Sequence, residues 1–371
     1  MKWLCYLGSL IIVFACVAGA RAGDPTVIAT GEAPAAPQQP QICLDAEGRV
    51  HLTFGQGDDV YYCNSADGAK TFSPPVKLPS AKDISLGMRR GPRIAVASKT
   101  ICISVIGGEQ GKGRDGDLLA FRSTDNGKTW SVPVAVNDAP DAAREGLHAM
   151  AASPEGGLCC VWLDLRSKGT ELYGSTSTDG GATWSKNALV YRSPDGSICE
   201  CCHPSVAFSA DGRLHVLWRN SVTGARDMYA SSSTDGGLTF SRATKVGSGT
   251  WPLKACPMDG GGIAVLRDGK PATVWRRNKT VFLAIGEEAE QSLTTGEQPV
   301  LAAASAGPVV AWLTKRGGPL LYQPSPKQPP KKLAETAGDP VIVSDGDHAT
   351  FVAWESHEGA TIKIVCQAVD E

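Results

Sequence analysis

The residues best suited to chemistry in this sequence are arginines and aspartates that precede or follow short predicted strands. Arginine suits recognition of a carboxylate because its planar fork donates two parallel hydrogen bonds. A carboxylate beside a bound ligand can transfer a proton. The candidate ligand-binding residues are Arg93, Arg166, Arg219, Arg226 and Arg276, and the candidate catalytic residues are Asp115, Asp164 and Asp227. These residue types predict a site for an anionic ligand.

A cluster of cysteines forms a second candidate site. Cys199, Cys201, Cys202 and His203 are nearly consecutive, and Cys256 lies at the equivalent place one repeat later. Three thiolates with a further thiol or an imidazole suit tetrahedral zinc or a soft metal such as Cu(I). Adjacent cysteines rarely pair, because their α-carbons are about 3.8 Å apart and the usual disulfide range begins at about 4.4 Å. Metal binding, a disulfide to Cys256 and a reactive thiol remain the alternatives.

Short repeated strands must position these residues. Four segments match the pattern Ser-x-Asp-x-Gly-x-Thr-aromatic, at residues 65–72, 123–130, 177–184 and 233–240. Their spacing is nearly constant, which is the signature of a repeat fold. In each segment, or box, we expect the Asp to bond the loop backbone and the Gly to adopt a positive φ, as in a hairpin turn.

Weaker repeats extend the pattern to seven units. Short strands ending in an aromatic or apolar residue recur, and a proline opens the strand before most of them, as at Pro40, Pro299 and Pro340. Seven units of four antiparallel strands can close into a β-propeller. We therefore predict one all-β domain over residues 23–371, with a strand at 26–30 completing the last blade. Six blades are the alternative, and a β-sandwich does not explain the period.

The topology of such a blade separates the boxes from the functional face. The innermost strand starts, and the second strand ends, at one mouth of the central channel. The box joins the third and fourth strands, so it lies at the opposite end. We expect the box aspartates to be structural and the polar residues at the first mouth to bind the ligand.

The four boxes resemble the Asp-box, or bacterial neuraminidase, repeats of the sialidase superfamily. The chain also resembles secreted bacterial sialidase-like proteins in which a Cys-x-Cys-Cys segment, here 199–202, is followed by Arg-Asp and Cys-Pro. The superfamily resemblance implies a propeller. For a sialidase it also implies three arginines that grip a carboxylate, a tyrosine nucleophile helped by Glu, and an Asp acid/base. Arg93, Arg219 and Arg276 are the candidates for the three arginines.

The tyrosine nucleophile cannot be matched. It comes late in sialidase chains, but no tyrosine follows Tyr322, which lies in a predicted strand. Binding of an anionic sugar or glycan, or inverting hydrolysis by one of the candidate aspartates or Glu355, does not need it. The alternatives are a non-catalytic propeller with a Cys/His metal site and a protein-interaction scaffold. Zinc or copper is the only cofactor that the sequence suggests.

The N-terminus has the pattern of a secretory signal peptide. Lys2 precedes an apolar run, and residues 20–22 fit a small-x-small cleavage signal. We expect residues 1–22 to be removed and the protein to be secreted or periplasmic; a lipid-anchored Cys16 is the alternative. No later stretch is apolar enough for a membrane span. The net charge of −2 gives no reason to expect nucleic acid as a partner, and we expect a monomer.

Overall fold

The computed structural model describes residues 23–346 and 349–369, and its regular elements are 29 β-strands. They form seven antiparallel sheets. The predicted signal peptide, with Cys16, lies outside the described residues. The described part of the chain contains no helix that could cross a membrane.

The strands follow each other blade by blade along the chain. Blade 1 contains β2 (Pro37–Leu44), β3 (Val50–Gln56), β4 (Asp59–Ser65) and β5 (Val76–Lys77). Blade 2 contains β6 (Asp83–Ile84), β7 (Arg93–Ala97), β8 (Thr100–Gly108), β9 (Asp117–Ser123) and β10 (Val134–Ala135). Blade 3 contains β11 (His148–Ala152), β12 (Leu158–Asp164), β13 (Glu171–Ser177) and β14 (Ala188–Tyr191). Blades 4 and 5 contain β15 (Ser205–Phe208), β16 (Leu214–Arg219), β17 (Met228–Ser233) and β18 (Thr244–Lys245); and β19 (Gly262–Val265), β20 (Pro271–Arg277), β21 (Thr280–Ile285) and β22 (Gln291–Thr295). Blades 6 and 7 contain β23 (Glu297–Ala304), β24 (Gly307–Leu313), β25 (Leu320–Gln323) and β26 (Lys331–Ala334); and β27 (Ala337–Ser344), β28 (Thr350–Glu358), β29 (Thr361–Val369) and the N-terminal β1 (Thr26–Glu32).

The seven sheets close into a ring, which confirms the predicted seven-bladed propeller. The innermost strand of each blade contacts the innermost strand of the next, and β27 of blade 7 contacts β2 of blade 1. The N-terminal strand closes the last blade, also as predicted. β1 pairs antiparallel with β29, from Thr26 opposite Cys366 to Glu32 opposite Thr361.

Tryptophans at the end of the second strand seal adjacent blades against each other. Trp162 on β12 packs on Ile106 and Leu118 of blade 2, and Trp218 on β16 packs on Leu163 of blade 3. The equivalent tryptophans of blades 5, 6 and 7 pack on the blade before them in the same way. Burial of these large apolar side chains is the main force that holds neighbouring blades together.

The boxes form turns that lock the outer strands. In the second box, Asp125 Oδ1 accepts hydrogen bonds from Ser123 Oγ and Thr129 N, and Asp125 Oδ2 accepts one from Thr129 Oγ. These bonds, led by that of the Thr129 hydroxyl, lower the pKa of Asp125 to about 2. Gly127 has a φ of 81°, and a Cβ there would lie 1.9 Å from a ring atom of Tyr62 in the preceding blade. The box therefore also fixes the contact between blades.

Three of the prolines predicted to open a strand lie inside one instead. β2, β23 and β27 begin two or three residues before Pro40, Pro299 and Pro340, and their register shifts at each proline. The prediction of the strand start was wrong there because a β-bulge leaves the proline unpaired, so that the missing N–H costs no ladder hydrogen bond. The bulges occupy blades 6, 7 and 1, which are neighbours in the ring.

Candidate functional site at the mouth of the channel

The three bulges place polar side chains around one mouth of the central channel. Gln39, Gln298 and Asp339 each precede the bulge proline, and their φ angles are 57°, 51° and 45°. A residue before proline normally adopts an extended conformation, and a positive φ is unfavourable for side chains other than glycine. Strain of this kind costs about 1–3 kcal/mol per residue and concentrates at functional sites. The three residues are therefore candidates for function.

These side chains form one network centred on Asp339. Gln39 Nε2 donates to Asp339 Oδ2 at 2.6 Å, and Gln298 Nε2 donates to Asp339 Oδ1 at 3.1 Å. The backbone N–H of Asp339 returns a bond to Gln298 Oε1 at 3.0 Å. Arg89 Nη1 lies 3.9 Å from Asp339 Oδ1. Side chains from three different blades, Gln39, Gln298 and Arg89, therefore surround the Asp339 carboxylate.

A second carboxylate, Glu355, belongs to the same network. Its Oε1 accepts a bond from the backbone N–H of Gln39 at 2.8 Å, and its Oε2 lies 3.1 Å from His357 Nε2. Gln39 therefore links the two carboxylates. Burial, followed by the charge of Glu355, raises the pKa of Asp339 to about 6. The contact with Glu355 raises the pKa of His357.

Below the mouth, the channel contains a cavity of about 360 Å³ lined by the innermost strands of all seven blades. Its lining includes the arginines Arg89 and Arg93, the imidazole of His203 and the carboxyl group of Asp339. The Nη atoms of Arg93 donate to backbone carbonyls, and burial lowers its pKa to about 9. Within the described part of the chain, the Arg89 guanidinium donates one hydrogen bond, to the carbonyl of Pro340, so most of its donors are left for a ligand.

His203 enters this cavity as a neutral side chain. Its Nε2 lies 3.1 Å from the carbonyl oxygen of Gly261, so Nε2 is the protonated nitrogen. Its Nδ1 is buried and has no partner among the described residues. Burial lowers the pKa of His203 well below its usual value. An acceptor nitrogen is therefore present beside two arginines.

The predicted arginines Arg219 and Arg276 are neighbours, but protein acceptors occupy their donors. Arg219 donates from all three guanidinium nitrogens to the carbonyls of Asp259, Arg226 and Arg276. Arg276 lies 3.3 Å from Asp259 Oδ2 and 3.0 Å from Glu297 Oε1. Both side chains therefore connect loops of blades 4, 5 and 6 through hydrogen bonds and ion pairs. Their role in ligand binding stays a prediction.

The predicted pair Arg166 and Asp164 does come together. The Arg166 guanidinium makes two hydrogen bonds of 2.9 Å to the buried Asp164 carboxylate and one of 2.8 Å to Asp138. It also lies over the ring of Tyr173, 4.0 Å from the centroid. Asp164 accepts a further bond from Trp162 Nε1. The pair belongs to a network that joins the second strand of blade 3 to the loop after β10 of blade 2.

The other two predicted catalytic aspartates lie on different blades, each in its own network. Asp115 accepts bonds from two backbone N–H groups of its own loop. Asp227 accepts a bond from the backbone of Trp251 and lies 2.7 Å from Lys245 Nζ. No described hydrogen bond or ion pair joins these carboxylates to each other or to Asp164, and their catalytic roles stay predictions. Arg226 contacts the same loop, and its Nε is buried without an acceptor among the described residues.

The structure assembles three of the five predicted metal or disulfide residues. The sulfur atoms of Cys199, Cys201 and Cys202 lie 3.5–4.0 Å from one another. This is a group with the donor atoms and spacing to hold a metal ion. His203 is outside the group because its ring faces the channel, and Cys256 is exposed.

Sequence reasoning missed Gln39, Gln298 and Asp339, although it named Glu355 as a candidate for inverting hydrolysis. A signal was present: a polar residue precedes the proline at the same place in three units, as Gln-Pro, Gln-Pro and Asp-Pro. If each proline starts a strand, the residue before it lies in a loop, and nothing in the sequence then singles it out.

Comparisons with known proteins agree with the fold. The chain matches the BNR repeat-like domain over residues 23–186 and 94–279. Among solved structures it is similar to a protein of unknown function from Dyadobacter fermentans (18% identity, 95% of this chain, 99% of that chain, TM-score 0.56). It is also similar to an alpha-L-arabinanase from Penicillium chrysogenum solved with arabinobiose (13%, 95%, 99%, 0.59) and to the Hadza microbial sialidase Hz136 (14%, 90%, 65%, 0.52). No curated protein matches the chain. The predicted relationship to sialidase-type propellers is confirmed, and the chain belongs to the BNR repeat-like domain family.

Proposed function

We propose that the protein binds an anionic glycan at the Asp339 mouth of the channel and hydrolyses a glycosidic bond there. One observation carries the proposal: a largely buried carboxyl group with a raised pKa lies beside a second carboxylate where the channel opens. Two carboxyl groups whose environments differ can divide the roles of acid and base. Strained backbone on three adjacent blades holds this arrangement in place.

The proposed chemistry uses Asp339 as the acid and Glu355 as the base. With a pKa of about 6, Asp339 is partly protonated at mildly acidic pH and can donate its proton to the departing glycosidic oxygen. Water adds to the anomeric carbon as that bond breaks, and Glu355 accepts the proton that the water loses. Each water molecule consumed therefore splits one glycosidic bond and leaves Asp339 ionised and Glu355 protonated; transfer of one proton from Glu355 to Asp339 through the solvent restores both groups.

The anionic character of the ligand rests on Arg89. Its guanidinium lines the cavity and keeps most of its donors available, as a carboxylate-binding arginine must. The similar arabinanase was solved with arabinobiose, and another similar structure is a sialidase. These resemblances support a sugar ligand for this fold.

The test is a panel of acidic and neutral glycosides, with sialosides, uronides and arabinosides, assayed between pH 4 and 8. We expect turnover of an acidic glycoside that falls about 10²–10⁴-fold in Asp339→Asn, the range for loss of a general acid. Asp268→Asn is the matched control, because Asp268 is exposed and lies beside Lys270 outside the mouth. We expect Arg89→Met to raise KM for acidic substrates.

Two results would refute the proposal. One is a folded Asp339→Asn protein that turns over its substrate at the wild-type rate. The other is a wild-type protein that neither cleaves nor binds any member of the panel. Loss of activity in Asp164→Asn but not in Asp339→Asn would move the site to the blade 3 network.

A further inference from the structure

The three clustered thiols are held by a rigid segment. Residues 197–203 lie in the connection between β14 and β15, and the backbone N–H groups of Ile198 and Cys199 donate to the carbonyls of Thr170 and Arg219. Cys199 and Cys202 are at most 1% exposed. Because the backbone is anchored on two neighbouring loops, the sulfur atoms are preorganised before any ligand arrives.

The spacing of the sulfur atoms fits a shared ligand. The three Sγ–Sγ distances are 3.7 Å, 3.5 Å and 4.0 Å. In a tetrahedral site with metal–sulfur bonds of about 2.3 Å, sulfur atoms are about 3.8 Å apart. A disulfide would bring two of the sulfur atoms to about 2.05 Å from each other and would not constrain the position of the third. An almost equilateral triangle is the arrangement that one central ion requires.

The surroundings supply counter-charge and an entry path. Arg226 and Arg219 are near enough for their charges to favour the thiolates of Cys199 and Cys202 respectively. Cys201 is half-buried, and the exposed Cys256 is near enough to influence its thiol. Cys256 is therefore the candidate for a fourth sulfur ligand on the solvent side.

We propose that Cys199, Cys201 and Cys202 form a binding site for one thiophilic closed-shell metal ion, Zn²⁺ or Cu⁺. Three thiolates alone suit trigonal Cu⁺, whereas Zn²⁺ takes Cys256 as its fourth ligand. The site is separate from the Asp339 mouth, so the proposal does not depend on glycan hydrolysis. Binding releases the thiol protons.

The experiment uses the full chain, purified under reducing conditions without chelators and then dialysed against Zn²⁺ or Cu⁺. Elemental analysis gives the metal per chain, and competition with a chelator of known affinity gives the dissociation constant. X-ray absorption measures the number of sulfur ligands. The variants are Cys201→Ser and Cys256→Ser, and the control is Cys43→Ser, a half-buried cysteine in β2 outside the cluster. Circular dichroism checks that each variant folds.

We expect one metal ion per chain in the wild type and in Cys43→Ser, and at least a tenfold loss of affinity in Cys201→Ser. A tenfold loss of Zn²⁺ affinity in Cys256→Ser identifies Cys256 as the fourth ligand of a four-coordinate zinc site. An unchanged Cu⁺ affinity in the same variant identifies a trigonal copper site made by the other three cysteines. The proposal is overturned if the reduced protein binds neither ion, or if Cys201→Ser binds as tightly as the wild type. It is also overturned if mass spectrometry of the protein isolated without reductant shows a disulfide within the cluster.

Discussion

The substitution Asp339→Asn should stabilise the protein at neutral pH, although it removes the residue at the centre of the mouth network. Asparagine has nearly the same shape as aspartate. Its single carbonyl oxygen can keep the reciprocal pair with Gln298, and a flipped Gln39 amide can accept from the new NH₂ group. The change therefore removes the charge and preserves the hydrogen bonds.

The magnitude follows from the raised pKa of Asp339. Burial, then the charge of Glu355, moves the pKa from 3.8 to about 6, so the folded state binds more protons than the unfolded state between these two values. Stability from this group is fully present below pH 3.8 and is lost as the pH rises through about 6. At about 1.4 kcal/mol per pKa unit, the ionised group costs the fold about 3 kcal/mol at pH 7.

The assay is equilibrium unfolding in denaturant at pH 4 and pH 7.5 for the wild type and Asp339→Asn. We expect similar stabilities at pH 4 and a variant that is more stable by up to about 3 kcal/mol at pH 7.5. The titration of all other carboxyl groups contributes equally to both proteins, so it cancels in the difference between their free energies of unfolding. The reasoning fails if the variant is less stable than the wild type at pH 7.5, or if the difference does not change with pH.

Three further predictions concern the packing between blades, the buried hydrogen bonds of an arginine and the titration of the box aspartates. Gly127→Ala should cost roughly 2–4 kcal/mol in denaturant unfolding, because the new methyl group meets a tyrosine ring, whereas Gly48→Ala, also at positive φ but in open space, should cost about 1 kcal/mol. Equal losses would contradict this. Arg219→Lys should lower the unfolding free energy by about 3 kcal/mol, because buried carbonyls lose their donors; exposed Arg213→Lys should change it little. The lowered pKa values of the box aspartates, about 2 in three of them, predict that stability falls as the pH drops from 4 to 2; NMR titration of their carboxyl carbons would show whether the pKa values are lowered.

Much of the fold could be predicted from the sequence because its determinants are local and repeated. Each box contains its own acceptor, donor and glycine, and each tryptophan marks the end of a second strand. The closing strand could be predicted as well, since the last unit lacked one. The bulges could not, because whether a proline starts a strand or interrupts one depends on the pairing of the partner strand.

The candidate site could be predicted less well than the fold, because it also depends on contacts between distant parts of the sequence. The hydrogen-bond partners of Asp339 include Gln298, 41 residues away, and Gln39, 300 residues away, and its raised pKa depends on burial that only the closed ring creates. The sequence did name Arg219 and Arg276 as members of one candidate set, and the structure places them side by side. Sequence spacing carries no information about the carbonyls and carboxylates that occupy their donors.

The pairing of β1 with β29 makes the order of synthesis matter. Within the ring, β1 is made before all other strands but finds its partner only when β29 has left the ribosome, so blade 7 is the last blade to be completed in a growing chain. Contacts between the two ends of a chain are slow to form, because closing so long a loop costs entropy before it gains any energy. Until then the unpaired edge of β29 is the place where a second chain could pair by mistake.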